Sequence, residues 1–182
     1  MIRLGSNSAT RALILKSFGI EFIQNRGDFD EDSIKTTNPK SFCYEATKGK
    51  FLELYEKYGV EDMPLLVADS VVTCEGKLLR KAKDLSDAKA MLELQSENKT
   101  SVITCMIYKS KEKELIDISI TTYEFKEFDK IHMKEYLQSG ECFGKAGAIM
   151  VEGFCKPYIK SVVGYESTAM GLCAEKLIQF CS

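Results

Sequence analysis

The first residues with chemical potential are in the stretch Leu4 to Leu15, LGSNSATRALIL. An apolar residue leads into small hydroxyl-bearing residues, and Arg11 stands just inside a helix-like apolar run. The first N–H groups of a helix lack partners within it, and the macrodipole adds partial positive charge there, which makes an anion site. Ser6 and Ser8 could donate to phosphate oxygens, and Arg11 could supply a charge-assisted fork. Taken alone, the plainer reading is a helix N-cap with Arg11 facing solvent. Asp69, in LLVADSVV, is the second candidate. A carboxylate closing an apolar strand is costly unless paired, hydrated or metal-bound, and strand ends are where α/β folds place ligand-contacting residues. Asp69 could hold Mg²⁺ or orient an attacking water; the plainer alternative is a turn or capping aspartate.

The loop GECFGKAGA invites comparison with the phosphate-binding pattern G-x-x-x-x-G-K-[ST]. It fails twice. Three residues rather than four separate Gly140 from Gly144, and Ala146 follows Lys145 where a metal-binding hydroxyl is required. Lys145 can still meet a phosphate on a loop whose backbone comes close. Arg80, Lys81 and Lys83 in LLRKAKD, Lys48 and Lys50 in TKGK, and Glu31 in FDEDS each read by themselves as solvated charge. His132, the single histidine, sits in no nucleophile motif, so no Ser–His–Asp set can be assembled.

Positioning these residues falls to a mixture of strands and helices. The patterning predicts a short strand over Met1–Gly5, a helix over Ala9–Phe18 capped by Ser8, and a strand at IEFIQ. A polar, acidic loop follows, then a helix from Ser41 to Tyr58 that Gly59 and Pro64 end. Leu65–Ala68 and Val71–Cys74 read as strand on either side of Asp69, and EGK as a tight hairpin. A helix is expected over Leu85–Leu94 with Ser86 as its cap, and SVITCMIY, apolar on both faces, suits a central strand. ELIDISITTYEF alternates Ile116, Ile118 and Ile120 with Asp117, Ser119 and Thr121, as a half-buried antiparallel strand would. Ile131–Leu137 reads as a helix, Tyr158–Val163 as a strand and Glu166–Phe180 as one closing helix. The expectation is an α/β fold with a mixed sheet.

Composition narrows the function classes. A chain of 182 residues, 45% hydrophobic and 29% charged, can bury a sizeable core. A net charge of −2 argues against a general nucleic-acid binder, though not against a local basic pocket for one anionic ligand. Seven cysteines with no C-x-x-C, mostly in apolar segments, suit reduced thiols in the cytoplasm, and no cluster offers a zinc site. No signal-peptide pattern is expected at the N-terminus, and no apolar run approaches the roughly 18 residues of a membrane span.

The pieces gain force from their order. LGSNSATRALILKSFGIEF, FDED, EATKGK, LLVADSVV, GKLLRKAKDLSDAKAML, GKAGAIMVEG and VVGYESTAMGL together resemble the Maf family of nucleoside triphosphate pyrophosphatases, first named for inhibition of septum formation. The resemblance runs from residue 3 to about 178, and makes residues 1–182 a single Maf-like domain. It implies a Maf/ITPase-like α/β fold: an elongated mixed β-sheet flanked by helices, two lobes with a central cleft, and a homodimer. It implies hydrolysis of a nucleoside triphosphate to monophosphate and pyrophosphate with a divalent cation, Mg²⁺ or Mn²⁺. By position, Ser8, Arg11, Lys50, Lys81 and Lys145 match the family's phosphate-binding residues, with Lys48 close enough to compete with Lys50. Glu31 and Asp69 match its metal-binding carboxylates, and Asp69 takes the place of its proton acceptor. Glu152 falls at the position tied to base recognition. Three positions depart from the family's pattern. Thr10 precedes a single Arg11 where two arginines are common, and Gly144 replaces a common aspartate. Glu152 stands where the dTTP/UTP-cleaving branch usually has glutamine and a 7-methyl-GTP-cleaving branch tends to have glutamate, whereas ADS and GKAG look more like the dTTP/UTP branch. The departures at Thr10 and Glu152 keep open a second reading, a nucleotide-binding regulator of cell division with little or no turnover.

Overall fold

The structure is a computed structural model that describes all 182 residues. In chain order its elements are β1 (Ile2–Leu4), α1 (Ala9–Ser17), β2 (Phe22–Gln24), α2 (Pro39–Tyr58), β3 (Leu65–Cys74), β4 (Lys77–Leu79) and α3 (Leu85–Gln95). There follow β5 (Lys99–Lys109), β6 (Glu114–Phe125), α4 (Lys130–Ser139), β7 (Ile159–Val163), α5 (Glu166–Ala169) and α6 (Ala174–Cys181). The strands form a mixed sheet in the order β2-β1-β3-β5-β6-β7, with β4 paired to β3. β1 runs parallel to both β2 and β3, while the β3–β4 and β6–β7 pairs are antiparallel. The mixed α/β architecture agrees with the expectation from sequence. No helix is long and apolar enough to cross a membrane.

The chain packs as two compact units. The first comprises Met1–Ser70, Ile103–Ile120 and Tyr165–Ser182. Its part of β3 is buried on both faces, as side-chain alternation along a covered strand requires. Leu66 and Ala68 join Leu4, Leu15, Met106 and Leu177 in one cluster, and Leu65 and Val67 join Phe51, Leu54 and Ile107 in another. Each fully buried leucine here contributes about 1.5–3 kcal/mol.

The second unit comprises Val71–Val102 and Thr121–Gly164. The EGK hairpin forms as expected: Glu75 and Gly76 both take positive φ, 51° and 75°, the signature of a tight two-residue turn matched to strand twist. An aromatic cluster of Phe125, Phe128, Phe154 and Tyr158 packs against α4 through His132 and Tyr136.

Three local expectations are corrected. Asp84 rather than Ser86 caps α3, accepting from Asp87 N at 2.8 Å. The closing helix is two helices, interrupted where Gly171 takes φ 111°. Asp69 does not end a strand; β3 passes straight through it. The two-faced alternation of β6 is present, with Ile116, Ile118 and Ile120 on the exposed face and Ser119 and Thr121 buried.

Candidate active site

In the first unit, Ser8 is the N-cap of α1, its hydroxyl oxygen accepting from Arg11 N at 3.3 Å. Ser6 Oγ accepts from Ser8 N at 3.1 Å. The capping half of the plainer reading therefore holds, but the solvent-facing half does not. Arg11 turns inward and only 14% of its side chain is exposed. Its Nε donates to Gly171 O at 2.8 Å, Nη1 to Ser6 Oγ at 3.2 Å and Nη2 to Ser70 Oγ at 3.4 Å. Nη2 also lies 3.9 Å from Asp69 Oδ1. Burial pulls the guanidinium pKa down, and the nearby Asp69 and Glu31 carboxylates only partly restore it.

Asp69, on β3, is likewise only 14% exposed at its side chain. Its Oδ1 accepts from Ser70 N at 2.9 Å and its Oδ2 from Lys50 Nζ at 2.8 Å. The same ammonium donates to Glu31 Oε1 at 2.5 Å. Burial would lower the Lys50 pKa, but Asp69 and Glu31 outweigh it and hold the ammonium above its ordinary value. Lys48 is exposed, near the ring of Tyr44, so of the two competing lysines it is Lys50 that meets the carboxylates. Glu31 lies in a single 3-10 turn, Glu31–Ser33. That turn's approach to α2 depends on Gly49: a Cβ there would sit 2.2 Å from the Phe29 ring. The helix interior normally disfavours glycine, so a close approach is the physical reason for one here.

Cys43 is buried beside this cluster, its Sγ donating to Asp69 O at 3.3 Å. Burial pushes its pKa far above the ordinary thiol range, which removes it as a nucleophile.

No group of three or more His, Cys, Asp or Glu side chains could cage a metal. Two hard carboxylate oxygens, Glu31 Oε1 and Asp69 Oδ2, do converge on one cationic position, which Lys50 Nζ occupies. Mg²⁺ and similar ions are commonly held by one or two carboxylates with substrate phosphates and waters completing the shell. The donor set fits such a shared site.

In the second unit, Lys81 and Lys145 are brought onto neighbouring backbone. Lys81 forms an antiparallel bridge with Ala146, and Gly147 N donates to Arg80 O at 3.0 Å. Gln95, fully buried, pins the same loop by donating to Gly147 O at 2.8 Å. Glu152 is exposed in a run of turns between Met150 and Cys155.

The structure thus joins Ser8, Arg11, Glu31, Lys50 and Asp69 in one network, and separately sets Lys81 beside the Lys145 loop. Sequence reasoning missed Ser70 and Gly171, which hold Arg11, and Thr104, which bonds Ser70. Ser70 and Thr104 lie in ordinary strand patterns, and only the presence of polar residues in runs otherwise apolar could have marked them.

A profile of the Maf-like protein family matches residues 1–182. The chain is similar to a protein named nucleoside triphosphate pyrophosphatase from a Nitratiruptor species, 52% identical over 181 residues, covering 98% of this chain and 97% of the relative. A Helicobacter pylori protein of the same name is 41% identical over 175 residues, covering 96% of this chain and 92% of that one. One from Campylobacter jejuni subsp. jejuni is 36% identical over 174 residues, covering 94% and 95%. This chain belongs to the Maf-like protein family.

Proposed function

We propose that this protein is a nucleoside triphosphate pyrophosphatase that cleaves the α–β phosphoanhydride bond of (d)NTPs and clears unwanted nucleotides from the pool. The observation that carries the proposal is the linked Arg11–Asp69–Lys50–Glu31 cluster, which sets cations for phosphates beside carboxylates suited to a metal and a water. The names of the relatives point the same way.

Asp69 is the proton acceptor. Held through Oδ1 by Ser70 N and through Oδ2 by Lys50, it orients a water toward the α-phosphorus and takes its proton. The new P–O bond forms from that water, the bond to the bridging oxygen breaks, and pyrophosphate leaves with the electron pair. A divalent cation, Mg²⁺ or Mn²⁺, held by Glu31 and Asp69, would neutralise charge building on the phosphates. Arg11 and Lys50 supply the same stabilisation from the protein, and the Ser8 hydroxyl keeps its own proton for a phosphate oxygen. Lys81 and Lys145 are proposed as further phosphate ligands, and Glu152 as the base-recognising residue, from their match to the family's motifs. A carboxylate only accepts hydrogen bonds where an amide also donates, so Glu152 should shift base preference toward bases that present donors, such as 7-methylguanine. The single domain and homodimeric assembly are proposed on the same resemblance, and a cytoplasmic location on the free, mostly buried cysteines.

The test is pyrophosphate release from dTTP, UTP, CTP, GTP, ATP, 7-methyl-GTP and 5-methyl-UTP with Mg²⁺ or Mn²⁺. Equal yields of monophosphate and pyrophosphate are expected from at least one, and Asp69→Asn should cut the rate by about 10²-fold or more while leaving binding largely intact. A wild-type rate in that variant would remove Asp69 as the base. Orthophosphate without pyrophosphate would mean chemistry at the γ-phosphate. Binding without any release would favour the alternative, a nucleotide-binding regulator of cell division, for which the departures at Thr10 and Glu152 speak.

A further inference from the structure

Thr104 lies in the middle of β5 and is 1% exposed. A threonine hydroxyl offers one proton and two lone pairs. Its Oγ1 is 2.7 Å from Thr168 O and 2.8 Å from Ser70 Oγ. A carbonyl oxygen can only accept, so the Thr104 proton is committed to Thr168. Ser70 must then donate its own single proton to Thr104. What Ser70 has left is lone pairs, and Arg11 Nη2, which can only donate, stands 3.4 Å from them. The same turn holds the other side of the guanidinium, where Gly171 O accepts from Nε at 2.8 Å. With Ser6 on Nη1, three of the five guanidinium N–H groups are hydrogen-bonded; the other two, one on Nη1 and one on Nη2 near Asp69, are not.

We propose that Thr104 is a positioning residue: by fixing the Ser70 hydroxyl as an acceptor, it aims the Arg11 guanidinium at a phosphate of the bound nucleotide. This rests on the reading of Arg11 as a phosphate ligand given above. A randomly oriented Ser70 would present its proton to Arg11 part of the time and push the guanidinium off its heading.

The experiment compares Thr104→Val, which keeps the shape and deletes the hydroxyl, with Thr104→Ser, which restores it. The readouts are the Kd for a non-hydrolysable α,β-methylene triphosphate, KM and kcat for a cleaved triphosphate, and the melting temperature. Thr104→Val should raise Kd and KM by about 5- to 10-fold, the worth of one ordinary hydrogen bond, and lower kcat by no more than the same factor, because Arg11 also meets the charge that builds in the reaction. Thr104→Ser should return both to within about twofold of wild type. In an Arg11→Lys background the valine substitution should cost nothing further, because the group being aimed is gone. A lower melting temperature with unchanged Kd would make Thr104 merely structural and overturn the proposal. So would failure of serine to rescue, or additive losses with Arg11→Lys. Should the valine variant not fold, Thr104→Cys, a weak donor of similar size, replaces it with the same expectation. Because the analogue's Kd is read without turnover, absence of pyrophosphate release would sink the pyrophosphatase reading and still leave Thr104 tested. Normal turnover with an unchanged Kd would sink Thr104 alone.

Discussion

Lys50 is subject to opposed forces. Its side chain is only 22% exposed, which disfavours charge, yet it bridges two carboxylates that demand it. The carboxylates prevail, so its pKa in the folded protein lies above the ordinary 10.5. A raised lysine pKa contributes stability that is fully present below the unfolded value and is lost as the pH climbs through the folded one. Lys50→Met should therefore be less stable than wild type by a constant margin from neutral pH to about 10.5, and that margin should shrink above it. Urea unfolding of the two proteins at pH 8 and pH 11 checks this; an equal margin at both would mean that the lysine acts through packing rather than charge. Little of this was legible locally. Glu31 sits among acids in a loop and reads as solvated, and nothing near it announces a partner nineteen residues on. Asp69 was more legible, because an isolated carboxylate in an apolar run needs an explanation wherever it lies.

At the scale of elements, α2 carries the site only because one of its residues has no side chain. Gly49→Ala would ordinarily steady a helix by about 1 kcal/mol. Here the added Cβ would meet Phe29 Cζ at 2.2 Å, so the ring must leave and the turn bearing Glu31 must shift with it. The expected outcome is a protein whose stability changes by less than about 1 kcal/mol but which needs several-fold more Mg²⁺ or Mn²⁺ for half-maximal turnover. Titrating the metal in pyrophosphate-release assays decides it, and an unchanged requirement would detach Glu31 from the metal. Element existence was readable from the sequence because apolar periodicity persists over many residues, as in α2 and β5. Orientation was not. The alternation in β6 predicts two faces, but the inward one is chosen by tertiary partners: Lys176 and Ser119 hold Asp117 at 2.6 and 2.5 Å, so the polar face turns in. The break at Gly171 was hidden likewise, since the apolar pattern of Met170, Cys173, Leu177 and Phe180 runs across it and only a positive φ interrupts the helix.

For the molecule as a whole, a net charge of −2 and an anionic substrate stand in apparent conflict. Binding must then come from cations held locally against the overall field, and short-range contacts of that kind register as stabilisation of the folded state. A ligand that binds only the native protein adds about 2.7 kcal/mol at a hundred times its Kd, which for a chain of this length raises the melting temperature by about 5–10 °C. The α,β-methylene triphosphate with Mg²⁺ should produce such a rise, and the monophosphate at the same concentration a smaller one, since fewer charges are shared. Asp69→Asn should keep the rise while losing turnover, which separates holding from chemistry. Lys145→Ala should diminish the triphosphate's effect more than the monophosphate's. Added salt should trim whatever part of the rise comes from exposed lysines, because the screening length falls to about 3 Å near 1 M, while the part owed to the buried Arg11 persists. Equal losses for triphosphate and monophosphate in Lys145→Ala would remove that lysine from the phosphate site, and would leave the first unit's Arg11, Lys50 and Ser8 to account for the triphosphate's grip.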